Sequence, residues 1–185
     1  MPYTVRPLDA STWEAFAELV ERNNGVFGGC WCIGFHAEGG QRGSGRREIK
    51  EKRVHDDRSH AALVFDEEGV AQGWCQFGSP AELPRIKHRR EYENAAPPLP
   101  DWRITCFYVD KKQRRQGVAR AALEGALEQI RAAGGGLVEA ISEVTDGRPA
   151  AGRFLFSATV ELFEDYGFSR VRQVGKHAWI VSIVL

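Results

Sequence analysis

The sequence has no long hydrophobic run, no excess of either charge and few cysteines, and each absence removes a class of protein. A helix that crosses a bilayer needs about 20 consecutive apolar residues, and no run here approaches that length. The first residues, MPYTVRPLDASTW, lack the apolar core of a signal peptide, so a cytoplasmic location and no membrane partner are expected. Lys plus Arg equals Asp plus Glu at 25 each, which leaves no global field to attract nucleic acid. Any charged ligand must be recognised locally. Four cysteines without an export signal read as reduced thiols rather than a disulfide framework. At 185 residues the expected organisation is a single domain, 1–185, without internal repeats or linkers.

What is present concentrates in one stretch, Ile104 to Gly136. Ile104 to Val109 is rich in β-branched and aromatic residues and reads as a buried strand. Lys111 to Gln116 carries four positive charges and reads as a loop. From Gly117 onward Val118, Ala122, Leu123, Ala126, Leu127 and Ile130 recur at helical spacing, and Gly134, Gly135 and Gly136 supply a stop. A basic loop running into a helix N-terminus holds phosphate well, because the first helical N–H groups lack partners and the macrodipole is positive there. Neither GxGxxG nor a Gly-Lys-Ser/Thr P-loop is present, so dinucleotide-fold and P-loop readings fail.

Arg114 to Ala119 fits Gln/Arg-x-x-Gly-x-Gly/Ala, and with the strand before it and the helix after it this unit resembles the acyl-CoA site of the GNAT N-acetyltransferase superfamily. Phe163 to Phe168, an aromatic residue, Glu, two variable residues and Gly-Phe, resembles a second GNAT segment. The resemblance implies an α/β (α+β) fold, a mixed, mostly antiparallel central sheet flanked by helices, with acetyl-CoA as acyl donor.

The remainder reads as support for that unit. Tyr3 to Arg6 is a first strand, Ser11 and Glu14 form a capping box, and Trp13, Phe16, Leu19 and Val20 mark a helix stopped by Asn23, Asn24 and Gly25. Arg46 to Asp57 is a charged surface helix, and His60 to Asp66 with Val70 to Phe77 is a hairpin. Gly78 to Asp101, with its RIKHRREYE run and clustered prolines, is expected to be an acceptor-side lid. Leu137 to Val144 is a strand, Thr145 to Gly152 a loop, and Phe154 to Phe168 contains a helix with Ser157 placed to cap it. Ser169 to Val174 and His177 to Val184 make a closing hairpin around Gly175.

Acyl transfer to an amine needs a base, an oxyanion donor and an acid for the leaving thiolate. Glu139 and Glu143 are the candidate bases, on one face of a strand by period-two geometry. The resemblance implies that the pantetheine arm lies along Phe107, Tyr108 and Val109, with the Val109 amide as oxyanion donor, and that Arg114, Arg115, Gln116, Gly117, Val118 and Ala119 hold the pyrophosphate. Ser157 joins this cofactor set. Many GNAT enzymes carry a tyrosine where this chain has Phe163, so the acid falls to Tyr166, another hydroxyl or water. The resemblance further implies that Trp31, Phe35 and His36, in or beside the aromatic stretch Gly28 to Phe35, line the acceptor site. The function expected is acetyl transfer to a primary amine of a small molecule, or to a protein amino group, with no nucleic-acid partner and a homodimer left open. A non-catalytic acyl-CoA sensor is the alternative. A zinc site at Cys30-x-Cys32-x3-His36 is incomplete, because a closed site needs four ligands.

Overall fold

The apolar face of the central helix organises the molecule. Val118, Ala122, Leu123, Ala126, Leu127 and Ile130 all lie at 2% exposure or less on α4, Val118–Ala132, and pack against one face of a sheet. Burying each large aliphatic side chain there contributes about 1.5–3 kcal/mol before chain entropy is counted. The computed structural model describes residues 3–41, 44–95, 97–145 and 156–185. The expected loop at Thr145 to Gly152 and the start of the Phe154 segment fall mostly outside these residues.

Among the described residues seven strands form the sheet: β1 (Thr4–Pro7), β2 (His60–Phe65), β3 (Ala71–Gly78), β4 (Trp102–Val109), β5 (Leu137–Glu143), β6 (Ser169–Gln173) and β7 (Ala178–Val184). Their order is β1-β2-β3-β4-β5-β7-β6, antiparallel except at β4–β5. The expected mixed, mostly antiparallel sheet is therefore present. Helix α4 and the short α5 (Val160–Asp165) cover one face. Helix α1 (Trp13–Glu21) covers the other, beside α2 (Arg46–His55). A further turn of helix, α3 (Arg89–Glu93), sits in the long connection before β4.

Two irregularities in β4 position the site. The parallel pairing with β5 stops after three residue pairs, the last being Ile104 with Ala140, so the strands diverge beyond it. On the other edge Gln76 faces Cys106 while Phe77 faces Ile104, which leaves Thr105 as the extra residue of a β-bulge. The bulge resets the alternation of side chains. Ile104, Phe107 and Val109 pack toward α4, whereas Cys106 and Tyr108 join the core beneath α1.

Three local expectations are corrected. Helix α1 is not closed by a Ser11–Glu14 box: Thr12 is its N-cap without a side-chain cap bond, and Asp9 Oδ1 accepts from both the Ser11 amide and hydroxyl at 2.8 and 2.6 Å. Ser11 is spent in that turn. Helix α5 is capped by Thr159, whose Oγ1 accepts from the Leu162 amide at 3.2 Å, and not by Ser157. The Gly78–Asp101 connection is not a separate lid, since Leu83 and Tyr92 are 0% and 3% exposed and form part of the core.

Candidate active site at the divergence of two strands

At the N-terminus of α4 the first internal helix bond runs from the Ala121 amide to the Gly117 carbonyl, so the amides of Val118, Ala119 and Arg120 have no partner within the helix. Arg115 and Gly117 take left-handed backbone angles, φ 63° and 90°, and curl the loop so that its amides converge. Asp110 anchors the loop to the fold. Burial would raise this carboxyl, but the Lys112 amide and the Asn23 and Arg22 side chains hold it below its usual range.

A cleft of about 510 Å³ runs from this cradle along the end of β4. Phe107, Tyr108, Val109, Arg114, Arg115, Gly117, Val118 and Ala119 line it, so eight of the ten residues expected to hold the cofactor are brought together. Gln116 and Ser157 are not in its wall. Gln116 instead donates to the Lys112 carbonyl at 3.2 Å and accepts from the Tyr3 hydroxyl at 3.1 Å through its own carbonyl. The amide of Asp110 donates to the Gln72 carbonyl on β3 at 2.8 Å, and antiparallel backbone alternates. Val109 therefore turns its N–H toward the side that β5 has left.

On the opposite side of the gap lie the two candidate bases. Glu143, three residues beyond the last residue of β5 that pairs with β4, accepts from Lys87 Nζ at 3.0 Å. The same ammonium donates to Ser157 Oγ at 3.1 Å and lies 5.1 Å from the Phe156 ring centre. Glu139 sits deeper, 8% exposed, and burial pushes its carboxyl up. The Tyr92 hydroxyl and Arg103 approach it, although that hydroxyl is outside hydrogen-bonding geometry. A cavity of about 20 Å³, the size of one water, separates Glu139 from Lys87 and Thr105.

The remaining predicted residues scatter. Phe163 is fully buried between Phe107 and Phe168, at ring distances of 6.0 and 4.9 Å. Tyr166 donates to the Arg120 carbonyl at 3.3 Å, tying α5 to α4, and is not in the cleft wall. Phe35 lines the two cavities beside Lys87, with its ring 6.0 Å from that of Phe156. Trp31 packs on Trp13 at 6.3 Å under Arg47. His36 is 0% exposed, with Nδ1 donating to the Glu82 carbonyl at 3.1 Å and Nε2 accepting from Ser59 at 3.2 Å. Burial, with Lys50 and Arg53 nearby, pushes its pKa down to about 2. It belongs to a buried polar cluster with Lys50, whose ammonium donates to Ser59 Oγ at 2.7 Å, and Cys32, which accepts from the Trp74 indole at 3.2 Å. All four cysteines are free, and no group of three metal-ligating side chains converges among the described residues.

Sequence reasoning missed Phe27, Phe156 and Lys87. Phe27 is 41% exposed yet walls the cleft, packing edge-on to Tyr108 at 5.7 Å and to Phe156 at 5.8 Å. An exposed aromatic beside an anion cradle has no signature in spacing. The profile of the Acetyltransferase (GNAT) family matches residues 31–168. The chain belongs to the GNAT family. Solved structures with this fold include a histone acetyltransferase HPA2 and related acetyltransferase from Corynebacterium glutamicum, 16% identical over 98% of this chain and 96% of that one, TM-score 0.56. Mosquito arylalkylamine N-acetyltransferase like 5b is 10% identical with both chains fully covered, TM-score 0.57. An N-acetyltransferase from Staphylococcus aureus is 15% identical over 100% and 98%, TM-score 0.55. At these identities the likeness is one of fold. No curated protein matches the sequence. GNAT membership carries acetyl transfer from acetyl-CoA to an amine acceptor, and among the described residues no helix is long and apolar enough to cross a membrane.

Proposed function

We propose that the chain is an acetyl-CoA-dependent N-acetyltransferase acting on a primary amine, with the coenzyme in the 510 Å³ cleft and the amine entering from the Lys87 side. The observation that carries this reading is the set of amides without a helical partner at the start of α4, opening onto a cleft that ends where β4 and β5 separate. Those amides, with Arg114 and Arg115, would hold the pyrophosphate. Acetyl-CoA supplies an activated acetyl thioester; the protein supplies proton transfers and a hydrogen bond to the carbonyl.

Glu143 takes the proton that the acceptor ammonium must lose, and the freed nitrogen forms a bond to the acetyl carbon. The Val109 amide donates to the carbonyl oxygen as it gains charge. As the carbon–sulfur bond breaks, the acylated nitrogen loses its second proton and the departing thiolate gains one; Tyr108 is the hydroxyl best suited to give the thiolate its proton and to be reprotonated by the one the nitrogen releases. Tyr108 is in the cleft wall, its buried Oη has no hydrogen-bond partner among the described residues, and burial raises its pKa, which keeps the phenol protonated. Thr159 Oγ1 accepts the α5 capping bond and the Tyr166 hydroxyl donates to a carbonyl. Glu139, held among Arg103 and Tyr92, is the second carboxylate and supports the charge balance.

The buried Phe163 favours one competing reading, a coenzyme-binding sensor without turnover. Calorimetric titration with acetyl-CoA, followed by thiol release across an amine panel, separates the two. Micromolar binding with thiol release supports the transferase; binding without release supports the sensor. Absence of binding overturns both.

A further inference from the structure

Lys87 puts an ammonium where an acceptor's ammonium must sit to lose its proton to Glu143. Its Nζ is 3.0 Å from Glu143 Oε1 and 3.1 Å from Ser157 Oγ, and its side chain is 18% exposed. An incoming amine therefore has to displace Lys87 from Glu143. A simple monoamine would take the carboxylate and leave a second cation, Lys87, unpaired in a largely dehydrated position, which is costly. An acceptor that brings its own anion avoids this cost. Its ammonium pairs with Glu143, its anion pairs with Lys87, and one internal ion pair is exchanged for two intermolecular ones.

The outer wall independently favours an anion. A cavity of about 330 Å³ beside Lys87 is lined by Gly34, Phe35, Arg85, Ile86, Lys87 and Arg89, with no acidic side chain among them. Arg85 is anchored through Nε to the Gly34 carbonyl at 3.2 Å, and Arg89 is paired with the exposed Glu93 at 2.6 Å. With Arg89 balanced by Glu93, Arg85 and Lys87, the latter once the amine has taken Glu143, repel a polyamine and attract a carboxylate or phosphate.

We propose that the acceptor is a zwitterion, a primary amine bearing an anionic group a few bonds away, and that Lys87 determines this specificity by trading Glu143 for that anion. The inference rests on the transferase reading above. Its chemistry is unchanged: one ammonium proton goes to Glu143, nitrogen replaces sulfur on the acetyl carbon, and the second proton that the nitrogen then loses balances the one the thiolate gains.

Matched pairs test it: glycine against glycinamide, β-alanine against β-alaninamide, and phosphoethanolamine against ethanolamine, with spermidine as a cationic control. The expected result is a kcat/KM preference of about 10-fold or more for the anionic member of at least one pair. The pair that responds tells carboxylate from phosphate. Lys87→Gln should collapse the preference mainly through KM, and Lys87→Arg should restore part of it. Amides or spermidine turned over as readily as the acids, or a preference that survives Lys87→Gln, would overturn the proposal while leaving the transferase reading intact. The same pairs titrated calorimetrically into coenzyme A-loaded protein remove the dependence on turnover. Binding of the anionic member alone, lost in Lys87→Gln, sustains the proposal even without thiol release, and equal or absent binding of both members sinks it. Should Lys87→Gln not fold, Arg85→Ala gives the same reading, with a smaller loss of preference expected and an unchanged preference counting against the proposal.

Discussion

The cleft proposed for the coenzyme and the side proposed for the acceptor meet at the same gap but are assembled differently. Nine of the fourteen residues lining the cleft fall between Phe107 and Arg120, one continuous strand, loop and helix start. The two acceptor-side cavities draw on Gly34 and Phe35, on Arg85 to Arg89, on Arg103 to Thr105 and on Glu139 to Ile141. The first side offers mainly backbone amides, whose direction is set by local conformation. The second offers mainly side chains, whose meeting is set by packing. A phosphate cradle can therefore be read in sequence, whereas an acceptor pocket built from four separate segments cannot.

Four variants sharpen or break this contrast. Gly117→Glu should have the largest effect. Its left-handed φ of 90° disfavours a side chain, and the new carboxylate would face the pyrophosphate, so coenzyme affinity should fall by roughly 100-fold or more. Unchanged calorimetric affinity would show that the cradle is elsewhere. Glu143→Gln should act on the other side alone, lowering thiol release about 100-fold with coenzyme affinity preserved. A parallel loss of affinity would mean that the two sides are not separable.

Tyr108→Phe tests the shared boundary. Removing an unpaired buried hydroxyl should leave stability and coenzyme affinity nearly unchanged while slowing turnover about 10-fold. Equal turnover would transfer the acid role to water or another hydroxyl. His36→Gln should affect the site least and the pH dependence of folding most. With its folded pKa pushed down to about 2, the unfolded chain binds more protons below its ordinary pKa of 6.5, so stability is full above 6.5 and falls as pH drops from there toward 2. His60 carries the opposite sign, because the Glu82 carboxylate raises its pKa and adds stability at low pH that is lost as pH rises through that value. The readout is therefore the difference between wild type and variant. Urea unfolding at pH 7.5 and 5.0 should show the wild-type loss shrinking by up to about 2 kcal/mol in His36→Gln. Parallel losses would mean that His36 is not held neutral by burial.

Legibility followed the range of the forces. Helix α4, the basic loop and the hairpin β2–β3 were readable from periodicity and turn chemistry. The Ser11–Glu14 box failed because Asp9, two residues away, competes for the same hydroxyl. Ser157 failed as a cap because Lys87, seventy positions distant, reaches it. The missing tyrosine at Phe163 was visible, but the substitute proposed above was not: by resemblance the sequence lays Tyr108 along the pantetheine arm, and only the tertiary structure leaves its hydroxyl without a partner among the described residues.

By itself the sequence determined the basic loop and helix start proposed to hold the pyrophosphate, the helices and strands around them, and membership of a fold built on that unit. Those features depend on backbone conformation and on spacing of apolar residues within one element. Only the tertiary structure decided that β4 carries a bulge at Thr105, that β5 parts from it after Ala140, and that Lys87 closes on Glu143 across the gap. Strand divergence and a distant ion pair arise from how elements pack together, and no local pattern of residues encodes either.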